Sequence, residues 1–82
     1  MSRILEFYMR DKSIDEFRNW CIQKRDENLK SIELYESGSF SVKTRTGNGP
    51  WVDHTARQEE DARRIVDEMN NIIERIETEY GR

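Results

Sequence analysis

The sequence predicts a small α+β domain in which a three-stranded antiparallel sheet packs against two helices, in the order (β)-α-β-β-β-α. Three observations predict it. A long stretch near the C-terminus and a shorter one near the N-terminus place apolar residues at helical spacing. The segment between them alternates apolar and polar residues, as half-buried strands do. The breaks Ser37-Gly38 and Gly47-Asn48-Gly49-Pro50 divide that segment as turns would. With 82 residues the chain is expected to be a single domain, 1–82.

The first segment, Ile4 to Met9, is open between two readings. Leu5, Phe7 and Met9 alternate with Glu6 and Tyr8, which suits an edge strand and would give the sheet a fourth member. A short helical turn packed on the first helix fits the same residues. Ser13-x-x-Glu16 then reads as a capping box. Ile14, Phe17 and Cys21, extended by Arg25 and Leu29 and flanked by Trp20 and Ile22, predict a helix from Ile14 to about Asn28.

In Ser31–Glu36, Ile32 and Leu34 share one face; in Ser39–Arg45, Phe40, Val42 and Thr44 do. A three-residue loop, Glu36-Ser37-Gly38, pairs Leu34 with Phe40 and Ile32 with Val42 on one side of the sheet, with Gly38 at the left-handed position. A five-residue loop from Thr46 to Pro50 pairs Arg45 with Trp51, Thr44 with Val52 and Lys43 with Asp53, joining opposite charges across the strands. Val52 and His54 then face inward.

The C-terminal helix is the strongest element. Ala62, Ile65, Met69, Ile72 and Ile76 recur in steps of three and four, with Val66, Ile73 and Tyr80 beside them, a stripe broad enough to cover a sheet. Glu59–Arg63 and Glu60–Arg64 are acid-before-base pairs four apart. Thr55-x-x-Gln58 is a second capping box, so the helix should begin near Ala56, and Gly81 should end it. The expected core is Phe17, Cys21, Ile32, Leu34, Phe40, Val42, Val52, Ile65, Met69, Ile72 and Ile76.

Composition narrows the function. Hydrophobic residues make up 34% of the chain and charged residues 38%, so the core must be small and self-association is an available source of stability. Cys21 is the single cysteine, which excludes an intrachain disulfide and points to a reducing compartment. The chain has no run of about 18 apolar residues, so no membrane span is expected. The first residues, Met1 to Glu6, carry charges in a short apolar stretch and lack a signal-peptide core. The expected location is the cytoplasm. Seventeen acidic against fourteen basic residues, a net charge of −3, make nucleic acid the weaker partner class and protein the stronger.

Catalysis has little to draw on. His54 and Cys21 are the only residues of their kinds, and their spacing suggests no nucleophile–base pair. No cluster has the spacing of zinc ligands, and Gly47-Asn48-Gly49 leads into a proline and a strand instead of a phosphate-binding helix. No enzyme, cofactor or metal is expected. Two surfaces are candidates for a partner. One is the outer face of the sheet, with Tyr35, Lys43, Arg45, Trp51 and Asp53: cations interleaved with aromatics, which suits a protein hot spot or, alternatively, phosphates and bases. The other is the acidic face of the last helix, with Glu59, Glu60, Asp67 and Glu68. Its interspersed arginines also suit a plain solvated surface.

From Phe40 onward an aromatic-x-Val strand, a glycine turn and a third strand run into Glu60-Asp61-Ala62-Arg63-Arg64-Ile65-Val66-Asp67-Glu68-Met69-Asn70. This pattern over residues 32–75 resembles the β-meander-plus-helix ending of small bacterial, archaeal and phage proteins. It also resembles the arm-type DNA-binding domains of phage integrases, without their basic surplus. The build as a whole is similar to anti-CRISPR and other phage anti-defence proteins. That resemblance implies a phage or mobile-element inhibitor or adaptor, acting in the host cytoplasm by stoichiometric binding to a nucleic-acid-processing defence complex.

Overall fold

A computed structural model describes the backbone of residues 2–81 and the side chains of residues 12–81. Two helices dominate: α1, Ser2–Glu36, with 35 residues, and α2, Thr55–Tyr80, with 26. Between them, β1 (Lys43–Thr44) and β2 (Val52–Asp53) pair antiparallel in the only sheet among the described residues. The molecule is an antiparallel helical hairpin joined by a two-stranded ribbon. The expected three- or four-stranded sheet packed on two helices is therefore corrected. The shape is long and thin, 67 × 24 × 16 Å with a radius of gyration of 18.9 Å, where a compact chain of this length has about 12 Å.

The correction has a local cause. No glycine or proline interrupts the chain between Ser2 and Gly38, and a helix once nucleated adds residues at little cost. Ile4–Met9 is helical along its backbone, as part of α1 and not as an edge strand; its side chains lie outside the described set. Ser13 is inside the helix instead of capping it. Ser31–Glu36, expected as a strand, is the last part of α1. Ile32 and Leu34 alternate, but Asn28, Ile32 and Tyr35 also continue a helical repeat, and a helix partner rewards the second pattern.

That repeat organises the whole molecule. In α1 the buried or half-buried side chains include Ile14, Arg18, Cys21, Arg25, Asn28, Ile32 and Tyr35, a series in steps of four and three. In α2 they include Thr55, Glu59, Ala62, Val66, Met69, Ile73 and Ile76, in the same steps. These are the two sides of an antiparallel coiled-coil seam. Its buried members are Cys21, Ile32, Ala62, Val66, Ile73 and Ile76, of which Cys21 is fully buried. The expected α2 stripe is shifted by one position: Val66 and Ile73 are in the seam, while Ile65 and Ile72 lie beside it. A sheet would have covered both sets, but one helix covers only the narrower. Phe17, Leu34, Phe40, Val52 and Ile65, expected in the core, are exposed.

The ribbon keeps the expected register, Lys43 opposite Asp53 and Thr44 opposite Val52. Gly38, at φ 75°, does occupy the left-handed region. It serves there to end α1, not to turn a hairpin between strands. Its N–H bonds to the Tyr35 carbonyl, and the Phe40 N–H reaches back to the Leu34 carbonyl. The Phe40 ring thus settles 5.8 Å from that of Tyr35. At the far end Gly81, at φ 67°, closes α2 as expected, its N–H bonding to the Glu77 carbonyl.

Candidate functional site

The ribbon presents two faces. Val42, Thr44, Val52 and His54 share one, where the Thr44 hydroxyl and the His54 Nε2 lie 2.7 Å apart. His54 N–H bonds to the Val42 carbonyl at 2.7 Å, extending the pairing one step past β1 and β2. Lys43, Arg45, Trp51 and Asp53 share the other face. Arg45 lies over the Trp51 ring, 5.7 Å from its centroid, and its Nε donates to the Gly47 carbonyl. The guanidinium is thereby held at both ends of the turn. Trp51 is 63% exposed, more than any other large apolar side chain described.

The anchorage of this ribbon differs from the expected capping box. His54 precedes α2 and makes no side-chain cap. Asp53 Oδ1 instead accepts the Thr55 N–H at 2.8 Å, one of the orphan donors at a helix start. The Thr55 hydroxyl accepts the Val42 N–H at 3.0 Å. The Thr55 hydroxyl and then its N–H hold the Asp53 carboxyl below the usual carboxylate range. The ribbon is in this way tied to the first turn of α2 by both of its strands.

Of the residues expected on the sheet face, Lys43, Arg45, Trp51 and Asp53 are brought together. Tyr35 is not: it belongs to α1 and faces Phe40. The acidic helix face also divides. Glu59 is at the seam, half-buried and paired with Arg63, whose guanidinium also bonds to Glu36 of α1. Asp67 lines a shallow cavity of about 190 Å³ with Leu29, Ile32, Arg63 and Val66. Glu60 and Glu68 remain on the solvent side. Only these last two behave as a free acidic surface.

Sequence reading missed the contrast between the two flanks of the hairpin. On one flank polar groups join the helices: Arg18 to Glu77 at 2.7 Å, Arg25 to Asn70, and Arg63 to Glu36. The other flank is apolar. Ile14, Phe17, Ile72, Ile76 and Tyr80, with Ser13, line an open groove of about 300 Å³. Trp20 extends it, its ring 6.2 Å from that of Phe17 and with the Lys24 ammonium 5.8 Å from its centroid. The signal was present in the adjacent pairs Ile65-Val66 and Ile72-Ile73, which supply α2 with two apolar stripes at once.

Among the described residues no group of His, Cys, Asp and Glu could hold a metal ion, and no helix is long and apolar enough to cross a membrane. Burial pushes the Cys21 thiol above its ordinary pKa, which keeps it protonated and poorly nucleophilic. No protein-family model, curated protein or solved structure matches the chain.

Proposed function

We propose that the protein is a non-enzymatic binding protein, an inhibitor or adaptor that acts by stoichiometric contact with a protein partner through the ribbon end of its helical hairpin. The observation that supports this most is Trp51. It is a large, exposed indole on a two-stranded turn, stacked with an arginine and fastened to α2. Tryptophan and arginine are the residues enriched where binding energy concentrates, and a ring held in place loses little entropy on docking. Inhibition of a phage or mobile-element kind, in the host cytoplasm, is the part of the proposal carried by resemblance of size and composition alone, since the sheet on which two helices were expected to pack is absent among the described residues.

Nucleic acid is the second reading, favoured by Lys43, Arg45 and Trp51 sharing one ribbon face. Asp53 opposite Lys43 and the shortness of the strands speak against it. One experiment decides between the two. The wild-type chain and Trp51→Ala are used as bait in a nuclease-treated prokaryotic lysate. A defined protein retained in stoichiometric amount by wild type and lost with Trp51→Ala is the expected result. Retention of RNA or DNA only when nuclease is omitted, falling steeply with salt, would move the assignment to nucleic acid.

A further inference from the structure

The apolar flank of the hairpin lies away from the ribbon and calls for its own explanation. The six buried hydrophobic residues are outnumbered by the large hydrophobics that stay exposed among the described residues, and of these Phe17, Trp20, Ile65 and Tyr80 lie on this flank. Phe17 is 43% exposed and Trp20 51%, so a cover would take from water about half of the roughly 150–250 Å² that such a ring buries in full. The total accessible surface is 6792 Å², whereas a compact monomer of this mass exposes about 5,200 Å². The extended hairpin as a whole therefore exposes on the order of 1,600 Å² more than a self-sufficient fold of its mass, and the apolar flank is one part of that surface.

We infer that a second copy of this chain covers that flank, the two hairpins packing through Phe17, Trp20, Ile65 and Ile72 into an antiparallel four-helix bundle. The area argues for a copy. A two-fold contact along this flank would need to take only about 800 Å² of that surface from each chain to reach the roughly 1,600 Å² of a standard stable interface. The distribution of polar groups agrees, because the pairs that join the helices within one chain lie on the opposite flank. The flank also suits an isologous contact, in which one surface meets itself across a two-fold axis and needs no complementary site elsewhere. A core this small gains its missing burial from the one partner that is always present at the same concentration. The inference concerns a different surface from the Trp51 ribbon, so each can fail alone.

The test uses the full chain. Light scattering after size exclusion should give twice the 9.9 kDa chain mass at high micromolar concentration, and the thermal midpoint should rise with protein concentration. Trp20→Ala should weaken dimerisation at least tenfold with helical circular dichroism retained at high concentration. Leu29→Glu, on the polar flank, should stay dimeric, and Trp51→Ala should too. A single-chain mass at every concentration with a flat thermal midpoint would overturn the inference. So would a dimer unaffected by Trp20→Ala but broken by Leu29→Glu. If Trp20→Ala proves poorly folded, the concentration dependence of the wild-type midpoint still decides whether a copy is bound.

Discussion

The Thr55 hydroxyl accepts the Val42 N–H at 3.0 Å, so the residue that begins α2 is also the one that holds the ribbon. Thr55→Val should therefore free the ribbon more than it harms the helix. A cost of about 1 kcal/mol is expected for the lost hydrogen bond. Hydrogen exchange at the Val42 amide should accelerate while the middle of α2 stays protected. Unchanged exchange at Val42 would show that the strands hold themselves.

Asp53 supplies a pH dependence whose sign follows from the same corner. Hydrogen bonds from the Thr55 side chain, then from its backbone N–H, depress the carboxyl pKa in the folded state. A depressed carboxylate adds stability that is present above the unfolded-state pKa of about 3.9 and is lost as pH falls through the lower folded value. Acid should thus loosen the start of α2, seen as a shift of the Thr55 amide resonance below about pH 4. Asp53→Asn should abolish that shift, and Thr55→Val should move the Asp53 titration back up toward the ordinary range.

Neighbouring isoleucines in α2 should differ sharply. Ile73 is buried in the seam and Ile72 only half-buried at its edge. Ile73→Ala should cost roughly 2–4 kcal/mol in chemical denaturation, and Ile72→Ala about half as much or less. Equal losses would mean that α2 presents the broader face that a sheet would cover.

Arg18 is in the seam with its Nε buried and without a hydrogen-bond partner, while its Nη2 meets Glu77. Glu77→Ala should destabilise by about 0.5–1 kcal/mol, because the pair is partly exposed and solvent already screens it. Arg18→Met should be neutral or stabilising, since it fills the seam without desolvating a charge. A loss with Arg18→Met larger than that with Glu77→Ala would contradict this.

What the sequence showed of this fold depended on the range of the interaction. The Lys43–Asp53 register and the two glycine breaks were legible because a short turn and local charge decide them. The end of α2 at Gly81 was legible for the same reason. The identity of Ser31–Glu36 was not. Ile32 and Leu34 satisfy a strand, Asn28, Ile32 and Tyr35 satisfy a helix, and only the presence of α2 alongside settles between them. The site residues divide in the same way. Lys43, Arg45, Trp51 and Asp53 were placed together by local pairing, whereas Tyr35 was lost from their face when its strand became helix. Phe17 belongs to a core, with Trp20 flanking it, only where something broader than a single helix covers them, and neither residue's local pattern carries that information.

The polar members of the α1 seam have a consequence for alignment. Arg18 lies beside Glu77, and Arg25 beside Asn70. If the helices slid past one another by seven residues, the apolar steps would still coincide. In one direction, however, Arg25 would be set against Arg63, and in the other Arg18 would pass the last turn of α2 and lose Glu77. A seam of isoleucines alone would tolerate either displacement almost equally. The arginines that weaken the packing are thus what make one of the possible offsets the native one, and a chain purged of them should grow more stable and less certain of its own register.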